Sequence, residues 1–164
     1  MGVRADFPAP GGAAATDANA YRQAAILEVQ RNRTVIDFAG RHVAAPGYEV
    51  GEWVIPQGFS IMVSLLQLHQ DPEVYPHPER FDPQRFIDDK PSTFSWVPFG
   101  GGTRRCVGAA FANMEMDVVL RTVLRHVTIQ ATDAPAEKWH NRGVAYTPKR
   151  GGRVVVFRRT AALG

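Results

Sequence analysis

The chain's one cysteine, Cys106, lies in the glycine-rich loop Phe99-Gly-Gly-Gly-Thr-Arg-Arg-Cys-Val-Gly108, just before an expected helix. Free backbone N–H groups and the positive end of the helix dipole favour a thiolate over a thiol at such a position. Three consecutive glycines let the backbone take positive φ angles and approach a flat partner closely. Arg104 supplies a planar cationic fork of the kind that pairs with carboxylates. These residue types are suited to holding a sulfur ligand against a flat, carboxylate-bearing molecule.

Other interpretations of this loop remain open from the residues alone. A lone cysteine is often a small buried apolar side chain. A glycine-rich loop before a helix can also bind phosphate, but this one lacks the Gly-Lys-Ser/Thr ending of a P-loop. A thiolate, bare backbone and an arginine together favour a haem loop.

The loop is similar to the haem-binding signature of the cytochrome P450 family, Phe-x-x-Gly-x-x-x-Cys-x-Gly, with every fixed position filled. The resemblance implies that Cys106 is the catalytic residue and the iron ligand of haem b (iron protoporphyrin IX). It also implies that Arg104 meets one haem propionate and that Phe99 shields the sulfur. The haem-binding residues that it implies are Phe99, Gly100, Gly102, Arg104, Cys106, Gly108 and Arg41.

Length and composition limit the alternatives. With 164 residues, 45% of them hydrophobic, the chain has room for one globular domain. A net charge of +3 without a basic–aromatic run argues against nucleic-acid binding. No apolar run reaches the ~18 residues of a membrane span, and residues 1–20 have no apolar signal core. A single cysteine excludes an internal disulfide, and we expect a cytoplasmic protein.

The residues before the cysteine loop contain a second candidate cluster. Residues 1–18 are predicted as loop, and a helix is expected from about Asp17 or Asn19. On that helix Glu28 and Arg31 stand three residues apart, the spacing of neighbouring side chains. Taken alone, this is a surface ion pair. The resemblance implies instead the Glu-x-x-Arg helix of the family.

An extended segment is predicted over 34–42, where β-branched and aromatic residues are frequent. By resemblance this segment crosses beside the haem, and Arg41 meets the second propionate. Many family members have a proline at the position of Thr34. The substrate-facing residues that the resemblance implies are Val35, Ile36, Asp37 and Phe38.

The central part of the chain is predicted as a small sheet followed by an irregular stretch. Apolar alternation and the turn Pro56-Gln-Gly58 indicate strands over 48–64 that lead into a short helix. Four prolines predict that residues 71–86 lack regular structure. Phe81-Asp-Pro-Gln-Arg85-Phe86 is similar to the family's meander motif, with Gln84 in place of the usual Glu. The resemblance implies that Arg85 joins Glu28 and Arg31 in a charge network.

The last third of the chain is predicted as one long helix and a hairpin. The helix is expected over 107–127, with a buried apolar stripe. Its members are Phe111, Met114, Val118 and Leu124. Residues 133–141 are predicted as loop, and a hairpin is expected over 143–157 about the Gly151-Gly152 turn. The basic residues near the C-terminus are expected to form a solvated face.

The sequence therefore predicts a mainly α protein with small β-sheets (α+β), similar to the C-terminal part of the cytochrome P450 fold over residues 19–164. The implied reaction is insertion of one oxygen atom from O2 into an apolar organic molecule. The implied partners are a ferredoxin or flavoprotein reductase that docks near Arg104, Arg105 and Arg121. The helix that activates oxygen is expected upstream of this chain. The alternatives are a truncated remnant that binds haem weakly or not at all, and a haem-thiolate peroxygenase or isomerase.

Overall fold

Helices and short antiparallel strand pairs alternate along the chain. The computed structural model describes residues 18–135 and 137–159. The elements are α1 (Ala18–Asn32), β1 (Phe38–His42), β2 (Gly47–Val50), β3 (Trp53–Pro56), β4 (Ser60–Ser64), α2 (Leu65–His69), α3 (Arg85–Asp88), α4 (Ala109–His126), β5 (Val127–Gln130), β6 (Trp139–Asn141), β7 (Tyr146–Pro148) and β8 (Val155–Arg158). The predicted fold class, helices with small β-sheets, is confirmed.

In the described part of the chain, the eight strands form four two-stranded sheets. β1 pairs with β4, and the segment that connects these two strands contains the β2–β3 pair. Strand β1 begins with Phe38 opposite Ser64, whose side chain accepts a hydrogen bond from Gln67 N at the start of α2. This cap satisfies one of the free N–H groups at the helix start. The sheet therefore ties the extended segment after α1 to α2.

The predicted C-terminal hairpin is wrong. β7 pairs with β6 across a turn that is closed by Arg142 N donating to Ala145 O at 2.9 Å, while β8 pairs with β5. Residues 133–141, predicted as loop, therefore end in a strand. Gly151 and Gly152, with φ angles of 78° and 65°, do not join paired strands but lead the chain from one sheet to the other. Alternation identified strands here, but it carries no information on which strand pairs with which.

Other predicted boundaries also change. Residues 1–17 lie outside the described residues, and α1 already includes Ala18. A short helical turn, α3, interrupts the stretch predicted to lack regular structure, because Arg85 lies beyond the last of its prolines. The long helix α4 begins and ends inside the predicted range 107–127. Among the residues that the structure describes, no helix is both long and apolar enough to cross a membrane.

Helix α4 is not the buried core helix that its apolar stripe predicted. Phe111, Met114, Val118 and Leu124 are all exposed, and only Ala109 of this helix is buried. α4 packs against α1 and β5, which leave the stripe uncovered. A helical repeat of apolar residues shows that one face of the helix is suited to burial. It does not show that other segments of the same chain cover that face. The apolar side chains that are buried are Ala24, Ile26, Val43, Leu65, Tyr75 and Ala109.

Polar side chains hold α1 against α4. The Asp117 carboxylate accepts from Arg22 Nε at 2.6 Å and from Gln23 Nε2 at 2.7 Å. One turn earlier on α4, Asn113 Oδ1 accepts from Gln30 Nε2 at 2.7 Å. The hydrogen bond from Arg22, together with that residue's charge, holds the pKa of Asp117 below its usual 3.8. Three hydrogen bonds, to two residues of α4 that lie one turn apart, therefore set the register of the two helices.

Replacing Asp117 with asparagine is expected to lower the melting temperature at neutral pH, because Arg22 loses its charged partner. A carboxylate with a lowered pKa stabilises the folded state above its unfolded-state value and loses that effect as the pH falls through the folded-state value. The melting temperatures of the two proteins should therefore converge only as the pH falls below 3.8 and through the folded-state pKa of Asp117. Asp133→Asn, at an exposed position, is the control, and an equal decrease in both variants would contradict the proposed role.

Candidate functional site

The cysteine loop is built on one tight turn, at residues 97–100, and on one hydrogen bond that closes the longer segment 99–106 before α4. Gly100 N donates to Val97 O and Cys106 N donates to Phe99 O, both at 2.9 Å. Gly100 and Gly102 have φ angles of 72° and 64°, which residues with a side chain rarely adopt. Cys106 is an exposed, free cysteine that precedes the first residue of α4 by three positions. The glycines thus allow the chain to turn at this point, and the Cys106 side chain is exposed.

A cavity of about 580 Å³ opens beside the Cys106 thiol. Its wall is mainly apolar and is formed by α1, the following extended segment, the cysteine loop and the start of α4. The apolar side chains that line it are Val29, Val35, Ile36, Phe38, Ala39, Leu65, Pro98, Phe99, Ala112 and Met116. This volume lies within the ~300–1,000 Å³ of small-molecule sites. A large, mostly apolar molecule can therefore reach the sulfur.

Three arginines and one carboxylate give the cavity its charge. Arg33, Arg41, Arg104 and Glu115 line it, so cations outnumber anions. Arg41 is exposed, and its guanidinium donates to Gly40 O at 2.8 Å and to Gly101 O at 3.4 Å. Exposed guanidinium groups around an apolar wall are suited to a flat ligand that carries carboxylates at its edge.

The structure brings most, but not all, of the predicted site residues to this cavity. Phe99, Gly100, Arg104, Cys106 and Arg41 line it, as do Val35, Ile36 and Phe38. Gly102 and Gly108 are not among its lining residues; Gly102 begins a 3-10 turn, and Gly108 is the N-cap of α4.

The prediction that Asp37 faces the substrate stays a prediction. Asp37 is not a lining residue, and its carbonyl oxygen accepts from Leu65 N at 2.8 Å and from Leu66 N at 3.4 Å. Asp37 therefore caps the start of α2 through its backbone, while its neighbours Ile36 and Phe38 line the cavity.

Glu28, Arg31 and Arg85 meet behind the cavity. The carboxylate of Glu28 accepts two hydrogen bonds from Arg31, from Nε and Nη2, each at 2.7 Å. Both side chains are completely buried. Arg85 Nε lies 3.4 Å from Glu28 Oε2, and Asp82 N donates to Glu28 Oε1 at 2.9 Å. The pair is therefore a buried, bidentate ion pair and not the surface contact that spacing alone suggests.

Arg31 also binds the chain on the far side of the cluster. Its guanidinium donates to the carbonyl oxygens of His69 at 2.6 Å, Pro78 at 2.8 Å and Arg80 at 3.2 Å. The guanidinium carbon lies 5.1 Å from the ring centre of Tyr75, within the range of a cation–π contact. One side chain thus connects α1, α2 and the proline-rich stretch.

Sequence reasoning missed three residues of this cluster: Tyr75, Thr34 and His69. Tyr75 is buried between Arg31 and Arg85, whose guanidinium carbon lies 6.0 Å from its ring centre. Thr34, noted only as a departure from proline, has its hydroxyl 3.1 Å from Arg31 O and 2.9 Å from His69 Nδ1. The one sequence feature that could have indicated a buried residue here is Tyr75, an aromatic side chain in a proline-rich stretch.

His69 is completely buried and is hydrogen bonded at both ring nitrogens. Its Nε2 accepts from Val97 N at 3.0 Å, and its Nδ1 faces the Thr34 hydroxyl. Burial and, to a smaller degree, the charge of Arg31 lower the pKa of His69 from 6.5 to about 4. The neutral ring therefore stabilises the fold above pH 6.5, and that contribution is lost as the pH falls towards 4.

Known proteins match the chain over most of its length. The family model described as Cytochrome P450 matches residues 17–154. Cytochrome P450 138 of Mycobacterium tuberculosis is 70% identical over 138 residues, which are 84% of this chain and 31% of that protein. Cytochrome P450 135B1 of Mycobacterium tuberculosis is 40% identical over 83% of this chain and 29% of its own length. The chain thus spans about a third of the length of these curated relatives.

Solved structures give the same result for the fold. A retinoic acid-bound cyanobacterial CYP120A1 matches with a TM-score of 0.74 and 26% identity, over 85% of this chain and 32% of that one. Cytochrome P450EX alpha (CYP152N1) with myristic acid matches with a TM-score of 0.70 over 84% of this chain and 34% of that one. Its 23% identity supports the fold alone.

Proposed function

Because this chain belongs to the cytochrome P450 family, we propose that it carries the haem-binding part of a monooxygenase, with Cys106 as the ligand of the haem iron. The observation that carries the proposal is the exposed Cys106 thiol at the wall of an apolar cavity that arginines also line. Family membership supports an oxidoreductase of the haem-thiolate type. The substrate that we propose is an apolar organic molecule, since the wall formed by Val35, Ile36 and Phe38 is apolar.

The residues at the cavity fit a haem. A thiolate is one of the ligands that hold haem iron. Arg41 and Arg104 can each pair with a propionate. A Cβ atom added at Gly100 would meet no other atom within 4 Å, which leaves room for a flat ring against the loop. The position of Phe99 on the cavity wall is consistent with shielding of the sulfur.

When bound, haem b supplies an iron that activates O2 for insertion of one oxygen atom into an unactivated C–H bond. As the thiolate ligand of that iron, Cys106 would supply electron density to it. An apolar molecule bound against the wall formed by Val35, Ile36 and Phe38 would displace water from it. We expect the electrons to come from a ferredoxin or flavoprotein reductase that docks near the exposed Arg104, Arg105 and Arg121. The cytoplasmic location expected from the sequence stays a prediction.

Titration of the haem-free chain with haem, followed by a spectrum of the reduced, CO-bound form, tests the proposal. Thiolate ligation gives an absorption band at a characteristically long wavelength. We expect this band at one equivalent of haem. Haem uptake without the band would contradict ligation by Cys106, and the absence of uptake would favour a remnant that does not bind haem. The reaction itself, oxygenation with O2 or with peroxide, is then tested by turnover with each oxidant.

Arg104→Ala is expected to weaken haem binding without removing the thiolate band. The substitution removes one charge-assisted hydrogen bond, worth about 1.5–3 kcal/mol, so the dissociation constant should rise roughly 10- to 150-fold. Arg105→Ala is the matched control, because Arg105 has the same charge but does not line the cavity. An equal loss of haem affinity in both variants would instead indicate a general effect of positive charge.

A further inference from the structure

We propose that His69 is a positioning residue for the cysteine loop: its neutral ring fastens the start of that loop, at Val97, to the buried Glu28–Arg31 pair. The loop is taken here together with the turn that precedes it, over residues 97–108. The claim that this matters for iron ligation rests on the proposed function, whereas the fastening itself is a property of the chain without haem. His69 is not among the residues that line the cavity, so it acts through the loop and not on a ligand.

The hydrogen bonds determine which ring nitrogen carries the proton. A backbone N–H can only donate, so His69 Nε2, 3.0 Å from Val97 N, must be the unprotonated nitrogen. The proton is then on Nδ1, which donates to the Thr34 hydroxyl at 2.9 Å. The Thr34 hydroxyl in turn donates to Arg31 O at 3.1 Å. The three hydrogen bonds therefore allow only one direction of donation. The contact with Thr34 favours the tautomer with the proton on Nδ1, which leaves Nε2 free to accept from Val97 N.

The same histidine is held through its backbone as well as its ring. Arg31 Nη1 donates to His69 O at 2.6 Å, and Arg31 is itself paired with Glu28. On the loop side, Val97 O accepts from Gly100 N in the turn that leads into the cysteine loop. The contacts from the ion pair to that turn are thus continuous. A displacement of Val97 would move the first turn of the loop that carries Cys106.

The groups that surround the ring disfavour a charged histidine. Arg31, which is paired with Glu28, contacts His69 from α1. Arg85 belongs to the same cluster from α3, and the Tyr75 ring lies 6.5 Å away, edge-on. Protonation of Nε2 would place two donors against each other at Val97 and add a third cation to the cluster. Protonation of the ring should therefore release Val97 and the loop that follows it.

Two substitutions separate the two ring nitrogens. A glutamine at position 69 can place its Oε1 near the site of Nε2 and accept from Val97 N, whereas the shorter asparagine reaches only the site of Nδ1. We expect amide hydrogen exchange at Val97 in the haem-free chain to be roughly 5- to 10-fold faster in His69→Asn than in His69→Gln, the effect of one hydrogen bond. After haem is added, His69→Asn should show a smaller share of the thiolate-type CO band, and His69→Gln should restore it.

The outcomes distinguish this inference from the proposed function. Equal exchange at Val97 and equal CO spectra in the two variants would overturn the role of His69. If amide exchange at Val97 differs between the two variants as expected but the unsubstituted chain binds no haem, only the proposed function is overturned. If both variants fail to fold, nitrogen NMR of the His69 ring in the unsubstituted chain decides the question. A proton on Nδ1 at pH 7 supports the proposal, and a proton on Nε2 contradicts it.

Discussion

Cys106→Ser is expected to abolish the long-wavelength CO band and all oxygenase activity, while part of the haem binding is retained. Serine differs from cysteine in one atom, and the backbone bond from residue 106 N to Phe99 O does not involve the side chain. The loop should therefore keep its conformation. A serine hydroxyl, however, does not ionise near neutral pH as a thiol bound to a metal does. Apolar contacts and the two propionate partners, Arg41 and Arg104, would still hold some haem in the cavity.

The measurement is a haem titration with CO spectra of the two proteins, in this chain and in a longer protein that includes the helices expected upstream. Thr103→Ser is the control, because Thr103 is an exposed residue of the same loop that does not line the cavity. It should leave the CO band unchanged. An unchanged CO spectrum in Cys106→Ser would contradict the assignment of the whole site, whatever the remaining residues do.

The parts of the site that could be predicted are those determined by local sequence. The turn geometry of the cysteine loop follows from its glycines, two of which have positive φ angles. The position of Cys106 just before α4 follows from the start of an apolar helical period. Strands also existed where alternation indicated them. Each of these features depends on residues fewer than about ten positions apart.

Features that depend on distant residues could not be predicted in the same way. The pairing of β8 with β5 joins segments on either side of β6 and β7, and no local pattern specifies it. The exposure of Phe111 and Met114 depends on which elements cover α4. The buried side of α1 is a further case, because it carries the polar residues Glu28, Gln30 and Arg31, while the aromatic Tyr21 of the same helix is exposed.

His69 illustrates why buried polar residues are difficult to find from sequence. Nothing in the neighbouring residues distinguishes it from an exposed histidine, and its partners Thr34 and Val97 lie 35 and 28 residues away. A polar group can be buried at this depth because every hydrogen-bonding atom of the ring has a partner. That condition is a property of the folded chain, and it becomes visible only when the partners are brought together.

Glu28→Ala is expected to lower the free energy of unfolding by about 3–5 kcal/mol, the cost of leaving a buried charge without its partner. Arg31 would keep its hydrogen bonds to the carbonyl oxygens of His69 and Pro78, but these dipoles do not cancel its charge. Arg85, 3.4 Å from the same carboxylate, would lose its counter-ion too. Two cations would then remain, Arg31 completely buried and Arg85 largely buried.

Urea unfolding of the two proteins measures this difference, in this chain and in a longer protein that includes the helices expected upstream. Glu79→Ala is the matched control, since Glu79 is an exposed carboxylate 4.0 Å from His77, and its loss should change the free energy by less than about 1 kcal/mol. The size of the Glu28 effect decides between the two interpretations of its spacing from Arg31. A loss as small as that of Glu79→Ala would mean that the pair is solvated in solution and that it does not anchor the cysteine loop through His69.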